Sequence, residues 1–116
     1  MKAAILFLFA AMAAPAANFF VAYEVAPGID FTHLTPQQMG VLKEHGANLM
    51  KLRESGVLMT AGRMMQDPKH VHAIAIMVAE NEAKAKELAD ADPAVRAGIM
   101  RFTVEPIDLA FPPACK

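Results

Sequence analysis

No sign of charge dominates the chain: eleven lysines and arginines stand against twelve acids, a net charge of −1 over 116 residues. A phosphate backbone is normally met by a dense basic face. Here Lys43, Lys51, Arg53, Lys84 and Lys86 alternate with acids along helical stretches, as solvated helix faces do. Nucleic acid is therefore not an expected partner. Cysteine is nearly absent too. Cys115 stands alone, so no internal disulfide forms, and oxidising surroundings leave either a free thiol without a function, the expected state, or an intermolecular bond. An apolar run of the ~20 residues that a transmembrane helix needs is missing. Internal repeats and low-complexity tracts are missing as well once the first seventeen residues are set aside.

Apolar residues make up 55% of the chain, and much of the excess lies in those first seventeen positions. Lys2 supplies a positive start, Ala3 to Ala13 an apolar run, and Ala14-Pro15-Ala16 a small-x-small cleavage pattern. This is the build of an export signal. The expectation is a signal peptide over residues 1–17, cut after Ala16 or Ala17, followed by one domain over residues 18–116. Such a protein is periplasmic or secreted and keeps no stable membrane anchor after cleavage.

The remaining chain has room for a single modest core. Asn18 to Val25 is rich in aromatic and β-branched residues and is closed by Pro27-Gly28, which predicts a strand. Thr35-Pro36-Gln37-Gln38 has the residues of a capping box with proline at the first helical position, so a helix starts there and runs to about Ser55, with Gly56 as its stop. Val57 to Gly62 predicts a second strand, Arg63 to Lys69 a loop, and His70 to Ala79 a third strand. A second helix is expected over Glu80 to Ala91, stopped by Asp92-Pro93. Ile99 to Glu105 is the last strand, and Pro106, Pro112 and Pro113 make the tail extended.

The order is βαββαβ. Two right-handed βαβ halves place four strands in one antiparallel sheet with two helices on one face, an α+β ferredoxin-like plan. The third strand is apolar on both sides, with Val71, Ala73, Ala75 and Met77 on one and Ile74, Ile76 and Val78 on the other. Both faces should then be covered. Pairing two sheets face to face does this, which predicts a homodimer.

Leu42, His45, Leu49 and Leu52 are spaced three, four and three apart, so His45 shares the helix stripe that faces the sheet. On the second helix the stripe runs through Ala85 and Leu88, and four residues on is Asp92. A carboxylate at a helix C-terminus meets the negative end of the dipole and calls for a compensating donor. A partly buried imidazole is such a donor. A carboxylate beside a histidine orients the ring, and the pair either moves protons on a bound substrate or pins two helices together.

His45, Leu49, Leu52, Gly56-Val57-Leu58, Ala61-Gly62, Ala89-Asp90-Ala91-Asp92-Pro93 and Gly98, in that order and spacing, resemble the pattern of the YCII-related (YciI-like) domain family. The resemblance spans strand one to Pro106. It implies a dimeric α+β barrel type of ferredoxin-like fold and an active site at His45 and Asp92. Most members have no assigned reaction, though one is a lyase that eliminates chloride from a hydroxylated aromatic ring. After Gly62 many relatives carry proline where this chain has Arg63, and Val41, Leu42 and Lys43 stand where an arginine is often found.

The remaining polar residues carry weaker signals. His70 and His72 share a strand face at a chelating spacing but lack a third ligand, and they read as solvent-facing strand-end histidines. Met59, Met64 and Met65 read as core filler rather than soft-metal ligands. Arg63 either meets an anionic group of the substrate at the pocket edge or pairs with a surface acid. His33 carries no signal. The leading expectation is an acid–base enzyme of lyase or isomerase type, with His45 moving the proton and Asp92 orienting it. It needs no cofactor or metal and takes a small ligand, with aromatic molecules among the candidates. The rival is a binding or structural dimeric module in which the pair is a buried clasp.

Overall fold

The computed structural model describes residues 16–65 and 72–114. The expected leader through Pro15, the loop residues 66–69, His70, Val71, Cys115 and the side chain of His72 lie outside the described residues. In chain order the elements are β1 (Ala17–Val25), α1 (Pro36–Glu54), β2 (Leu58–Arg63), β3 (His72–Ala79), α2 (Glu82–Asp90), α3 (Pro93–Arg96) and β4 (Met100–Pro106).

Local chemistry sets the ends of α1. The hydroxyl of Thr35 accepts from the Gln38 amide at 3.1 Å while the Gln38 side chain accepts from the Thr35 amide at 2.9 Å, and Pro36 opens the first turn. Two of the orphan N–H groups of the helix start are thereby satisfied. At the other end Gly56 takes φ +81°, its amide donates to the Arg53 carbonyl, and that of Val57 donates to Leu52. This is the paired bonding of a Schellman stop, and it depends on a residue free to enter the left-handed region.

The four strands form one antiparallel sheet in the order β2-β3-β1-β4, the ferredoxin-like arrangement. Register puts Tyr23 between Ala73 of β3 and Phe102 of β4, and Val21 between Ala75 and Val104. Side chains alternate along a strand, so Phe19, Val21 and Tyr23 share one face with Ala75, Met77, Met100 and Val104. These residues form the core with Ala85, Ala89 and Ala94 from the helices. The opposite face carries Phe20, Ala22, Ile74, Ile76 and Val78. Of these only Ile76 is buried, and it stands outside the helix-side core.

Two local expectations are corrected. Among the described residues there are three helices rather than two, because Asp92-Pro93 both ends one helix and begins the next. α2 stops at Asp90, Asp92 caps the one-turn α3 by accepting from the Ala94 amide, and Pro93 opens that turn. α2 also starts later than Glu80, since the Asn81 side chain caps it by accepting from the Lys84 amide at 2.8 Å. Methionine fills the core at Met77 and Met100, but Met39, Met50, Met64 and Met65 are exposed.

Candidate functional site

His45 lies mid-way along α1 on the stripe that includes Leu42 and Leu49, and its ring faces that of Tyr23 in β1 with centroids 6.0 Å apart. Its Nδ1–H donates to Asp92 Oδ2 at 2.7 Å. The same oxygen accepts from the Asn48 amide nitrogen at 3.4 Å, and Asp92 Oδ1 accepts from the Ala94 amide at 2.8 Å. Every neighbour of the carboxylate donates, so the proton sits on His45 Nδ1, and Nε2 of a neutral ring is the free acceptor. Burial is unequal: the Asp92 side chain is 1% exposed and that of His45 14%. The carboxylate is thus the hidden partner and the imidazole the accessible one.

The position of Asp92 differs from the expected one. It points inward, but as the N-cap of α3, not as the last acid of α2. Its carboxylate meets the positive end of a helix rather than the negative one. Even so, the sequence-predicted pair is joined, because α1 packs against α3.

A pocket of about 420 Å³ opens beside His45. Its apolar wall includes Phe31, Leu42, Leu49, Ala73, Ala75 and Met100, and its polar side chains are Tyr23, His45 and Arg63. The exposed Ala61, Gly62 and Arg63 at the end of β2 form the mouth. This volume suits a small molecule. A second cavity of about 270 Å³ between α1 and β2 offers Arg53 as its one ionisable group, so acid–base chemistry falls to the first. Asp92 stays behind the wall and reaches the pocket only through His45.

Two residues of the site escaped sequence reasoning. Tyr23 is 2% exposed, its hydroxyl finds no hydrogen-bond partner among the described residues, and its ring meets His45 edge-on. Burial above all, and then the charge of Asp92, push its phenol well above the usual tyrosine range. A hydroxyl at a core-facing strand position, in register with Phe19 and Val21, was the available signal. Asn48, three residues after His45 on the same helix, was legible from spacing. His33 is exposed and bonds to Asp30 at 3.2 Å. Among the described residues no group of three or more His, Cys, Asp or Glu is arranged to hold a metal ion.

A four-stranded ferredoxin-like sheet with a His/Asp pair at the wall of a small pocket defines the class of protein. The chain belongs to the YCII-related domain family, whose model matches residues 9–108. None of the curated proteins matches it. Among solved structures it is similar to an uncharacterized protein from Thermotoga maritima, at 6% identity and a TM-score of 0.51, covering 80% of this chain and 99% of that one. It is also similar to 5-chloro-2-hydroxyhydroquinone dehydrochlorinase from Burkholderia phenoliruptrix, in complex with 2,5-dihydroxybenzoquinone. That match has 17% identity and a TM-score of 0.50, and covers 78% and 93% of the two chains. A cofactor-independent oxygenase from Streptomyces nogalater matches at 12% identity and a TM-score of 0.47, over 83% and 97%. At these identities the likeness is one of fold.

Proposed function

We propose that the protein is a general acid–base enzyme of lyase or isomerase type that works without a cofactor on a small, hydroxylated ring compound. His45 Nε2 takes and returns the proton, Asp92 holds the ring in the required tautomer, and Arg63 at the mouth meets an anionic group of the substrate. The observation that carries this reading is the 2.7 Å bond between the buried Asp92 and the less buried His45, on the wall of a pocket of about 420 Å³. A dehydrochlorinase of the same fold lends the substrate class its support.

A second reading has its own observation. Asp92 accepts from three residues and ties α1 to α3, which is what a structural clasp between helices does. In that case the pocket belongs to a binding module without turnover. Incubation with a panel of chlorinated hydroquinones, read by chloride release and loss of substrate, tests the enzyme reading. No turnover across the panel, together with saturable binding of the same compounds, would favour the module.

The wider assignment is an exported homodimer in the periplasm or secreted. β1 begins at Ala17, so cleavage after Ala16 leaves the strand whole. The apolar face opposite the helices supports the dimer.

A further inference from the structure

We infer that Tyr23 is a substrate-contacting residue whose hydroxyl donates to a substrate oxygen that becomes anionic as His45 removes a proton. The inference rests on the reading of the pocket as a small-molecule acid–base site, and it narrows the substrate to compounds whose hydroxyl or carbonyl oxygen takes up negative charge during the reaction.

The first ground is an unmet bond. Buried hydroxyls in folded proteins nearly always have a partner, yet that of Tyr23 has none among the described residues, although the residue is only 2% exposed. Phenylalanine would fill the same place between Ala73 and Phe102 without leaving a polar atom unpaired. Tyr23 lines the pocket, although its hydroxyl is closed to water in the free protein, so a bound ligand meets that hydroxyl by a small shift of the pocket wall.

The second ground is placement. Tyr23 and His45 stand on one pocket with ring centroids 6.0 Å apart and planes at 77°. One comes from a central strand and the other from the middle of α1, so both are held by regular structure, as a preorganised site requires. Burial and the nearby Asp92 charge keep the phenol protonated, so Tyr23 acts as a donor and not as a base. Their roles therefore divide. The O–H bond of the substrate breaks, an N–H bond forms on His45 Nε2, and the electron pair remains on the oxygen, facing the Tyr23 hydroxyl.

4-Nitrophenol is a suitable probe because its absorbance reports whether its oxygen is ionised. The full chain, Tyr23→Phe and His45→Gln are titrated with it below the pKa of the free probe, with nitrobenzene as the control that lacks the oxygen. In the parent protein the bound probe should ionise. Tyr23→Phe should weaken its binding about tenfold or more, the usual scale for a hydrogen bond to a charged group. Nitrobenzene affinity should not change, and the free variant should melt no lower than the parent. Tyr23 is the one tyrosine in the sequence, so biosynthetic 3-fluorotyrosine alters this hydroxyl alone. Being the stronger donor, it should tighten binding. Unchanged 4-nitrophenol affinity in Tyr23→Phe, with ionisation lost in His45→Gln, would overturn the role of Tyr23 and leave the pocket reading standing. A lower melting temperature or failure to fold in Tyr23→Phe would also overturn it, by showing that the hydroxyl is bonded in the free protein. If the parent binds neither probe, the pocket reading falls and the inference with it.

Discussion

The ring of Tyr23 stands edge-on to that of His45, with centroids 6.0 Å apart and planes inclined at 77°. Edge-to-face contact of this kind is one of the arrangements that rings favour over a face-to-face sandwich. On its far side the imidazole is held by Asp92 at 2.7 Å. His45 is thus positioned from the sheet by Tyr23 and from α3 by Asp92, and its Nε2 is left for the pocket.

Alkaline stability should depend on Tyr23. Its phenol is pushed well above the ordinary value of about 10, by burial first and by the Asp92 charge second. Below pH ~10 the proton is bound in both the folded and the unfolded chain, so this group adds no pH dependence. Above it the unfolded chain releases a proton that the fold retains, and stability falls by up to about 1.4 kcal/mol per pH unit. Denaturant unfolding at a series of alkaline pH values should show that slope in the parent and lose it in Tyr23→Phe. Tyrosinate absorbance should appear only with unfolding.

Substitution at the pair separates chemistry from clasp. Asp92→Ala removes the α3 cap and the acceptor for His45 and Asn48, and should cost about 3 kcal/mol or more in denaturant unfolding. His45→Gln retains a donor toward Asp92, so it should fold within about 1 kcal/mol of the parent while losing roughly 10²–10⁴-fold in turnover. Equal destabilisation by both changes, with turnover tracking the folded fraction, would favour the clasp.

Arg63 is exposed at the pocket mouth, and its effect should be small and salt-sensitive. Arg63→Gln should weaken binding of a carboxylated probe such as 4-hydroxybenzoate about two- to fivefold at low salt, leave nitrobenzene binding unchanged, and keep the melting temperature. Identical salt dependence in parent and variant would place Arg63 outside the site.

Much of this architecture was legible because its causes are local. Thr35, Pro36 and Gln38 lie within one helical turn, and their capping box reads directly from the sequence. His45 follows from helix period alone. The stripe of α2 places Asp92 inward but on the wrong element, because Pro93 is not only a stop for α2 but also the first residue of α3. Tyr23 was missed for a different reason. That its hydroxyl is buried and unpaired depends on what α1 and α3 bring to it, residues far along the chain. The strand pattern shows which face Tyr23 occupies, not what it meets there.

Export is tested at the N-terminus. Lys2, the run Ala3 to Ala13 and Ala14-Pro15-Ala16 motivate cleavage after Ala16 or Ala17. Intact mass of the protein from the periplasmic fraction of an expressing bacterium should place the first residue at Ala17 or Asn18. An intact Met1 in the cytoplasmic fraction would refute it.

The dimer rests on the sheet face turned away from the helices. Phe20, Ala22, Ile74 and Val78 are half-buried there around Ile76, and the Glu24–Arg101 ion pair lies at one end of that face. Monomers seldom leave contiguous apolar patches beyond a few hundred Å² facing water. A two-fold pairing of these faces, the commonest closed symmetry, would cover both at once. The alternative is the C-terminal tail folding back over the face within one chain. Ile107 continues the ladder by donating to the Asn18 carbonyl at 3.0 Å, but residues 110–114 are exposed and Phe111 is 94% so. That part of the tail buries nothing of its own. Light scattering on the mature protein should therefore give a dimer mass, and truncation after Ile107 should leave it unchanged. A monomer mass before truncation would refute the dimer. Dissociation on truncation would instead make the tail, with Phe111 reaching the second copy, the element that holds the pair together.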